Sequence, residues 1–257
     1  SSLSLWLKEE GLSRSAIGWA GLIFSVYAIN FLWAPLIDRL RIPLLTDRLG
    51  HRKAWIVTLQ AVILICLCLW STLEPTTSIA LVIGAGLIIA ICSATQDITI
   101  DALRIEQIDR DDNRGMAAGA AVAVVGWWSG YKLGGMLALM MADYLQTAGV
   151  ADYWQMTFLF LGVLVVLCNI GLMFVPETGT AERAASQRAA QDTMAGKMSG
   201  QGPVVQLFSF VITTVLDPLF SFFRKNGMQI GIMILAFIFL FKIGEAFMGK
   251  MSIIFYK

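Results

Sequence analysis

The sequence predicts an all-α fold, a polytopic bundle of membrane-spanning helices, and three observations predict it. Of the 257 residues, 57% are apolar and only 14% charged, with a mean hydropathy of +0.72, whereas soluble domains run at roughly 45–50% apolar and about 25% charged. Six apolar stretches approach the roughly 20 residues that cross a hydrocarbon core about 30 Å thick. The basic residues are segregated, 13 of 19 lysines and arginines falling in alternate connections between those stretches. The same composition excludes other classes. A net charge of +1 with segregated basic residues offers no nucleic-acid footprint. Cys66, Cys68, Cys92 and Cys168 lie inside apolar stretches without metal-ligand or disulfide spacing. A single histidine and no immersed nucleophile–base pattern argue against an enzyme, and no cofactor is implied.

The spans run Ile17–Ile37, Ala54–Ser71, Ile79–Leu103, Gly115–Met141, Trp154–Val175 and Gln229–Met248. Arg39, Arg41, Arg48, Arg52 and Lys53 follow the first; Arg104, Arg110 and Arg114 follow the third; Arg183, Arg188, Lys197, Arg224 and Lys225 follow the fifth. Those connections are therefore cytoplasmic, and the two without basic residues, LEPTTS and 142–153, face outward. The N-terminus then enters from outside, so one preceding span is expected to be missing. Residues 204–223 are apolar but broken by Asp217-Pro218, and spanning would put Arg224 and Lys225 outside; they read as an amphipathic helix on the cytoplasmic surface. The polar, small-residue-rich stretch before it is a linker. The expected organisation is thus a first half over 1–176 lacking its first helix, a linker with the interfacial helix over 177–226, and the opening helix of a second half over 227–257.

The third span carries the most informative residues. It runs without a turn signal into SATQDITIDALR, where Ser93, Asp97, Asp101 and Arg104 fall at i, i+4, i+8 and i+11 on one helix face. A charged side chain at a helix centre costs about 2.5–3.5 kcal/mol on translocon scales, so such groups face a protein interior or a water-filled path. Asp97 and Asp101 are candidates for proton-linked or gating carboxylates, with Arg104 as their cationic neighbour and Gln96 beside them as a substrate-cavity residue. The alternative is an interfacial helix end at which only Asp97 is immersed.

In the first cytoplasmic connection, TDRLGHRK resembles the DRxGRRK loop signature of the major facilitator superfamily. Physically, an acidic residue there can latch onto another helix end while glycine allows a tight turn. Pro43 stands where that signature opens with glycine, which leaves the latch open between Asp38 and Asp47; Arg48, Gly50 and Arg52 complete the candidate set. His51 is expected to be an exposed loop residue. In the fourth span, Gly126, Gly130, Gly134 and Gly135 form a small-residue face suited to close helix packing. Tyr131 replaces the proline of the similar antiporter signature, so antiport is not supported. Lys132 points away from most of that face, near Trp128 at i−4, where it either meets an anionic solute beside an aromatic wall or snorkels outward. Lys242 and Glu245, at i and i+3 in FKIGEAF, read as cavity charges or as a self-neutralising pair. Asn30, Gln60 and Asn169 are immersed amides that tie helices or touch solute.

WAPLIDR, GHRKAW, LEPTT, SATQDITIDALR and DPLFSFFRKNG followed by FKIGEA together resemble the AmpG-type muropeptide permeases, with the acetyl-coenzyme A transporters similar in the first, second and fourth of these regions. That resemblance covers nearly the whole chain. It implies a major-facilitator fold and a proton-driven, alternating-access importer of anhydro-muropeptides in the cell inner membrane, working as a monomer on a bulky anionic sugar-peptide and protons. An acetyl-coenzyme A or other organic-anion carrier, and a membrane sensor or scaffold that no longer transports, are the alternatives.

Overall fold

The computed structural model describes residues 2–11, 23, 26–30, 33–109, 111–177, 220, 222–237 and 240. The expected surface helix over 204–223 falls almost entirely outside these residues, as do Lys242 and Glu245. The chain divides into two compact units, Ser1–Asn30 with Arg41–Ala185, and Phe31–Leu40 with Ser186–Lys257. In the first unit lie α1 (Ser2–Glu9), α2 (Val26–Ile29), α4 (Leu45–Leu49), α5 (His51–Trp70), α6 (Pro75–Glu106), α7 (Asn113–Thr147) and α8 (Tyr153–Met173); α3 (Ala34–Arg39) and α9 (Met228–Phe237) belong to the second. No strand occurs among the described residues.

α5, α6 and α8 are long and apolar enough to cross a membrane. α7 has 35 residues but is built of Gly, Ala and Trp as much as of large aliphatics, and by the same measure of length and composition it falls short. The fourth expected span is nonetheless helical throughout. At about 1.5 Å per residue, the 32 residues of α6 reach about 48 Å. Its ends therefore overshoot a hydrocarbon core of about 30 Å. Pro75 opens α6, where its missing N–H is not needed, and Ser78 interrupts the helical dihedrals one turn later.

A short turn joins α5 to α6, so the two run antiparallel, and α8 also lies antiparallel against α5: Lys53 Nζ donates to the Met173 carbonyl at one end, and Leu64 lies beside Gly162 further along. Association inside a bilayer rests on close packing and internal hydrogen bonds, because lipid tails are as apolar as the side chains. At the Trp70 end of α5, Trp6, Trp70, Trp154 and Phe158 interlock with ring centroids 4.9–6.1 Å apart. Trp70 Nε1 donates to the Val82 carbonyl, and Glu9 accepts from Tyr153 Oη and Trp154 Nε1, which fastens α1 to the start of α8. Thr58, Thr95, Thr99 and Thr157 each return their hydroxyl to the carbonyl one turn back, which satisfies these groups within their own helices.

His51 corrects one expectation. It is buried as the first residue of α5 rather than exposed in a loop, because Gly50, at φ +93°, turns the chain directly from α4 into α5. Arg52 and Lys53 are buried with it.

In the second unit, helical residues 222–226 end at Gly227, with φ +79°, and Phe223 folds back onto Gly231 of α9.

Candidate functional site

α6 delivers the acidic stripe. Counting from Ile91, near the middle of its apolar part, Asp97 lies about 9 Å along the helix axis, Asp101 about 15 Å and Arg104 about 20 Å. A half-core is about 15 Å thick, so a bilayer centred on Ile91 would take in Asp97, reach Asp101 at its boundary and leave Arg104 beyond it. Their surroundings follow that gradient. Asp97 and Gln96 are half-buried, whereas Asp101 is exposed and accepts a hydrogen bond from Arg104 NH2 at 3.2 Å. An exposed pair of that kind contributes about 0–1 kcal/mol, so it organises charge more than it stabilises the fold.

The stripe does not stand alone. α2 packs on this part of α6 and brings two polar side chains onto it. Tyr27 comes close to Ser93 and stands within electrostatic reach of Asp97. Asn30 Nδ2 donates to the Ala94 carbonyl at 3.3 Å, so this amide ties two helices together. Sequence reasoning passed over Tyr27, although its place three residues before Asn30 puts both on one helical face.

At the His51 end of α5 the latch candidates separate. Asp47 pairs with Arg41 inside its own connection, Arg48 is exposed, and Asp38 is exposed on α3 in the other unit. Gly50 and Arg52 sit in a buried junction instead. Arg52 Nε and NH2 donate to Glu106 Oε1 at 3.2 and 2.9 Å, and the Glu177 carboxylate accepts the backbone N–H groups of Arg52 and Lys53 at 3.0 and 3.1 Å. Gln107 Nε2 adds a bond to the Pro176 carbonyl. Glu106 and Glu177 were missed because each lies at or just past a span end, where an acid ordinarily faces water.

On α7, Trp128 and Lys132 are both exposed, with Lys132 Nζ 6.0 Å from the Trp128 ring. Trp127 and Tyr131 stack beside them at 5.7 Å. A Cβ built on Gly126, Gly130, Gly134 or Gly135 meets no atom within 4 Å among the described residues. No cluster of three metal-ligating side chains occurs among those residues either.

Helices of membrane-crossing length agree with what known proteins indicate. The family model of the Major Facilitator Superfamily matches residues 1–256. The chain belongs to that superfamily. It is 30% identical to an anhydromuropeptide permease of Escherichia coli over 247 residues, 96% of this chain and 42% of that protein. It is 27% identical to a Rickettsia conorii transporter named AmpG 4 over 256 residues, all of this chain and 55% of that one. An uncharacterized protein of Haemophilus influenzae is 30% identical over 95% of this chain and 49% of its own length. The chain therefore spans about half the length of these relatives.

Proposed function

We propose that the chain serves a proton-coupled secondary transporter that imports a bulky anionic solute, an anhydro-muropeptide, across the bacterial inner membrane by alternating access. The observation that carries proton coupling is Asp97, a half-buried carboxylate on a helix of membrane-crossing length, within electrostatic reach of Tyr27. Carboxylates in that setting mark ion and proton pathways. The choice of solute rests on likeness to the permease of Escherichia coli. Lys132 beside Trp128 suits an anionic sugar-peptide, with the ammonium for its carboxylates and the ring for its sugar face. Gln96 completes the solute-facing set in this half, and Lys242 and Glu245 contribute from the opening helix of a second half.

In this reading residues 1–176 form the first half of a two-half carrier, 177–226 link the halves, and 227–257 begin the second. The carrier acts as a monomer. The junction around Arg52 holds the cytoplasmic ends of α5, α6 and α8 together, so the rocking that exposes the cavity runs between halves.

The test is uptake of radiolabelled anhydromuropeptide into right-side-out membrane vesicles under an imposed proton gradient. Accumulation that collapses with an uncoupler supports the reading. Binding without accumulation would instead leave the protein a sensor.

A further inference from the structure

Tyr131 presents an aromatic ring with one face taken and the other free. Trp127, one turn before it on α7, lies parallel to it, the planes 6° and the centroids 5.7 Å apart. On an ordinary helix the side chains at i+3 and i+4 would cover the opposite face of such a ring. Here those positions are Gly134 and Gly135, and a Cβ added at either meets no atom within 4 Å among the described residues. Tyr131 is accordingly 66% exposed.

The open slot lies on the side of α7 that packs against the bundle. Trp127, Tyr131 and Ala138 stand at i, i+4 and i+11, within about 40° of one another around the helix axis. Ala138 is only 2% exposed, and Ala142, one turn further, joins the core of Trp6, Trp154 and Phe158. Towards the other end of the helix, Ile108 and Arg104 crowd Gly119. α7 is thus held at both ends and stands clear between them, over about 10 Å from Tyr131 to Ala138.

We propose that this slot is the sugar subsite of the carrier: Tyr131 stacks on one face of a pyranose ring of the solute, and Trp127 backs it from behind. This rests on the reading of the chain as an importer of an anionic sugar-peptide, and it makes Tyr131 the residue that selects for the sugar. The C–H face of a pyranose is positively polarised and suits the negative face of an aromatic ring. The charge agrees as well. Trp128 stands at 90° to Trp127 with centroids 5.1 Å apart, and Lys132 Nζ lies 6.0 Å from the Trp128 ring, so one aromatic surface runs from the slot to a cation. A sugar ring joined to a carboxylate uses both ends of that surface.

Two other occupants fit less well. Lipid tails would leave the exposed Tyr131 hydroxyl without a partner. A neighbouring helix needs small residues along a whole face, whereas two large rings here share the face of Gly130 and Gly134 and hold another backbone away.

The test is the concentration dependence of radiolabelled anhydromuropeptide uptake by the full-length protein in proteoliposomes. Tyr131→Ala removes the ring, whereas Gly134→Leu keeps it and fills the slot. The half-saturating concentration should rise about tenfold in each, at an unchanged maximal rate and an unchanged unfolding midpoint. Tyr131→Phe keeps the ring and should hold most of the parent's affinity. The free peptide, which lacks the sugar, should compete with the radiolabelled solute equally in the parent and in all three variants.

An unchanged half-saturating concentration in both Tyr131→Ala and Gly134→Leu overturns the inference while leaving the importer standing. A lowered unfolding midpoint with a matching fall in maximal rate overturns it too, since that pattern means that lipid or another helix fills the slot. Equal loss of affinity for the solute and for the free peptide does the same. Should Tyr131→Ala fail to insert, Gly134→Leu decides by the same comparison of solute with free peptide. A parent protein that takes up no anhydromuropeptide overturns both readings at once.

Discussion

Glu177 closes the start of α5 from 125 residues away, its carboxylate accepting the backbone N–H of Arg52 at 3.0 Å. The first turn of a helix has N–H groups with no intrahelical partner, and a side chain at the N-cap usually supplies one. The N-cap here is Gly50, which has no side chain. A carboxylate arriving from beyond α8 does that work instead, and it meets the positive end of the helix dipole. Because Arg52 also grips Glu106, one residue joins the ends of three helices.

Gly50→Ala should therefore be costly on two separate grounds. The backbone sits at φ +93°, where a side chain is strained by about 1–3 kcal/mol. A methyl group there would also overlap the Glu177 carboxylate. Thermal unfolding in detergent should show the variant clearly destabilised, and in a Glu177→Ala background, where the cap is already lost and the overlap is gone, Gly50→Ala should cost less than in the parent but still more than nothing. If it costs nothing in that background, the dihedral strain is negligible; if it costs as much as in the parent, the overlap is.

The Arg52–Glu106 pair is shielded, its side chains 10% and 20% exposed. Removing one partner of a shielded pair leaves an uncompensated charge, which costs about 3–5 kcal/mol when burial is complete. Glu106→Gln should accordingly lose a sizeable part of that, and far more than Asp101→Asn, whose partner Arg104 lies at an exposed boundary. Equal unfolding midpoints for the two variants would refute the distinction.

How much of this was legible in the sequence depends on the range of the interaction. The apolar lengths placed α5, α6 and α8 within about four residues at each end and α7 within about six, because hydropathy acts locally. The stripe of Ser93, Asp97, Asp101 and Arg104 was legible because helical periodicity is local too. Burial of His51 was not, since it depends on Gly50 turning straight into a helix. Glu177 as a cap and Tyr27 as a neighbour of Ser93 were hidden for a different reason: each contact joins residues far apart in the chain, and no spacing rule encodes which distant helix packs where. The choice between Asp47 and Asp38 as a latch stays open in the sequence for the same reason, for the pairing of Asp47 with Arg41 is decided by the fold of one short connection.

Asp97 and Asp101 separate by depth, and transport should separate them as well. Asp97→Asn fixes a neutral side chain that mimics only the protonated form, so uphill accumulation should be abolished while solute counterflow remains measurable. Asp101→Asn, at the boundary and paired with Arg104, should reduce uptake only mildly. Full proton-driven uptake by Asp97→Asn removes it from the coupling role. Equal loss in both variants means that the stripe works as one structural unit.

Lys132 can be decided between its two readings by the charge of the solute. Its ammonium stands 6.0 Å from the Trp128 ring on an exposed face of α7, at the outer limit of a useful cation–π contact. That contact is worth about 0.5–1 kcal/mol at an exposed site, too little to explain the placement by stability alone. If the lysine meets an anionic group, Lys132→Gln should weaken binding of an anionic muropeptide by about tenfold, the equivalent of about 1.4 kcal/mol. An amidated, uncharged analogue should bind the variant and the parent alike. Lys132→Arg keeps the charge and should retain most of the affinity. If the lysine only snorkels to the outer surface, all three proteins should bind both solutes equally, and Lys132 and Trp128 would leave the solute-binding set together.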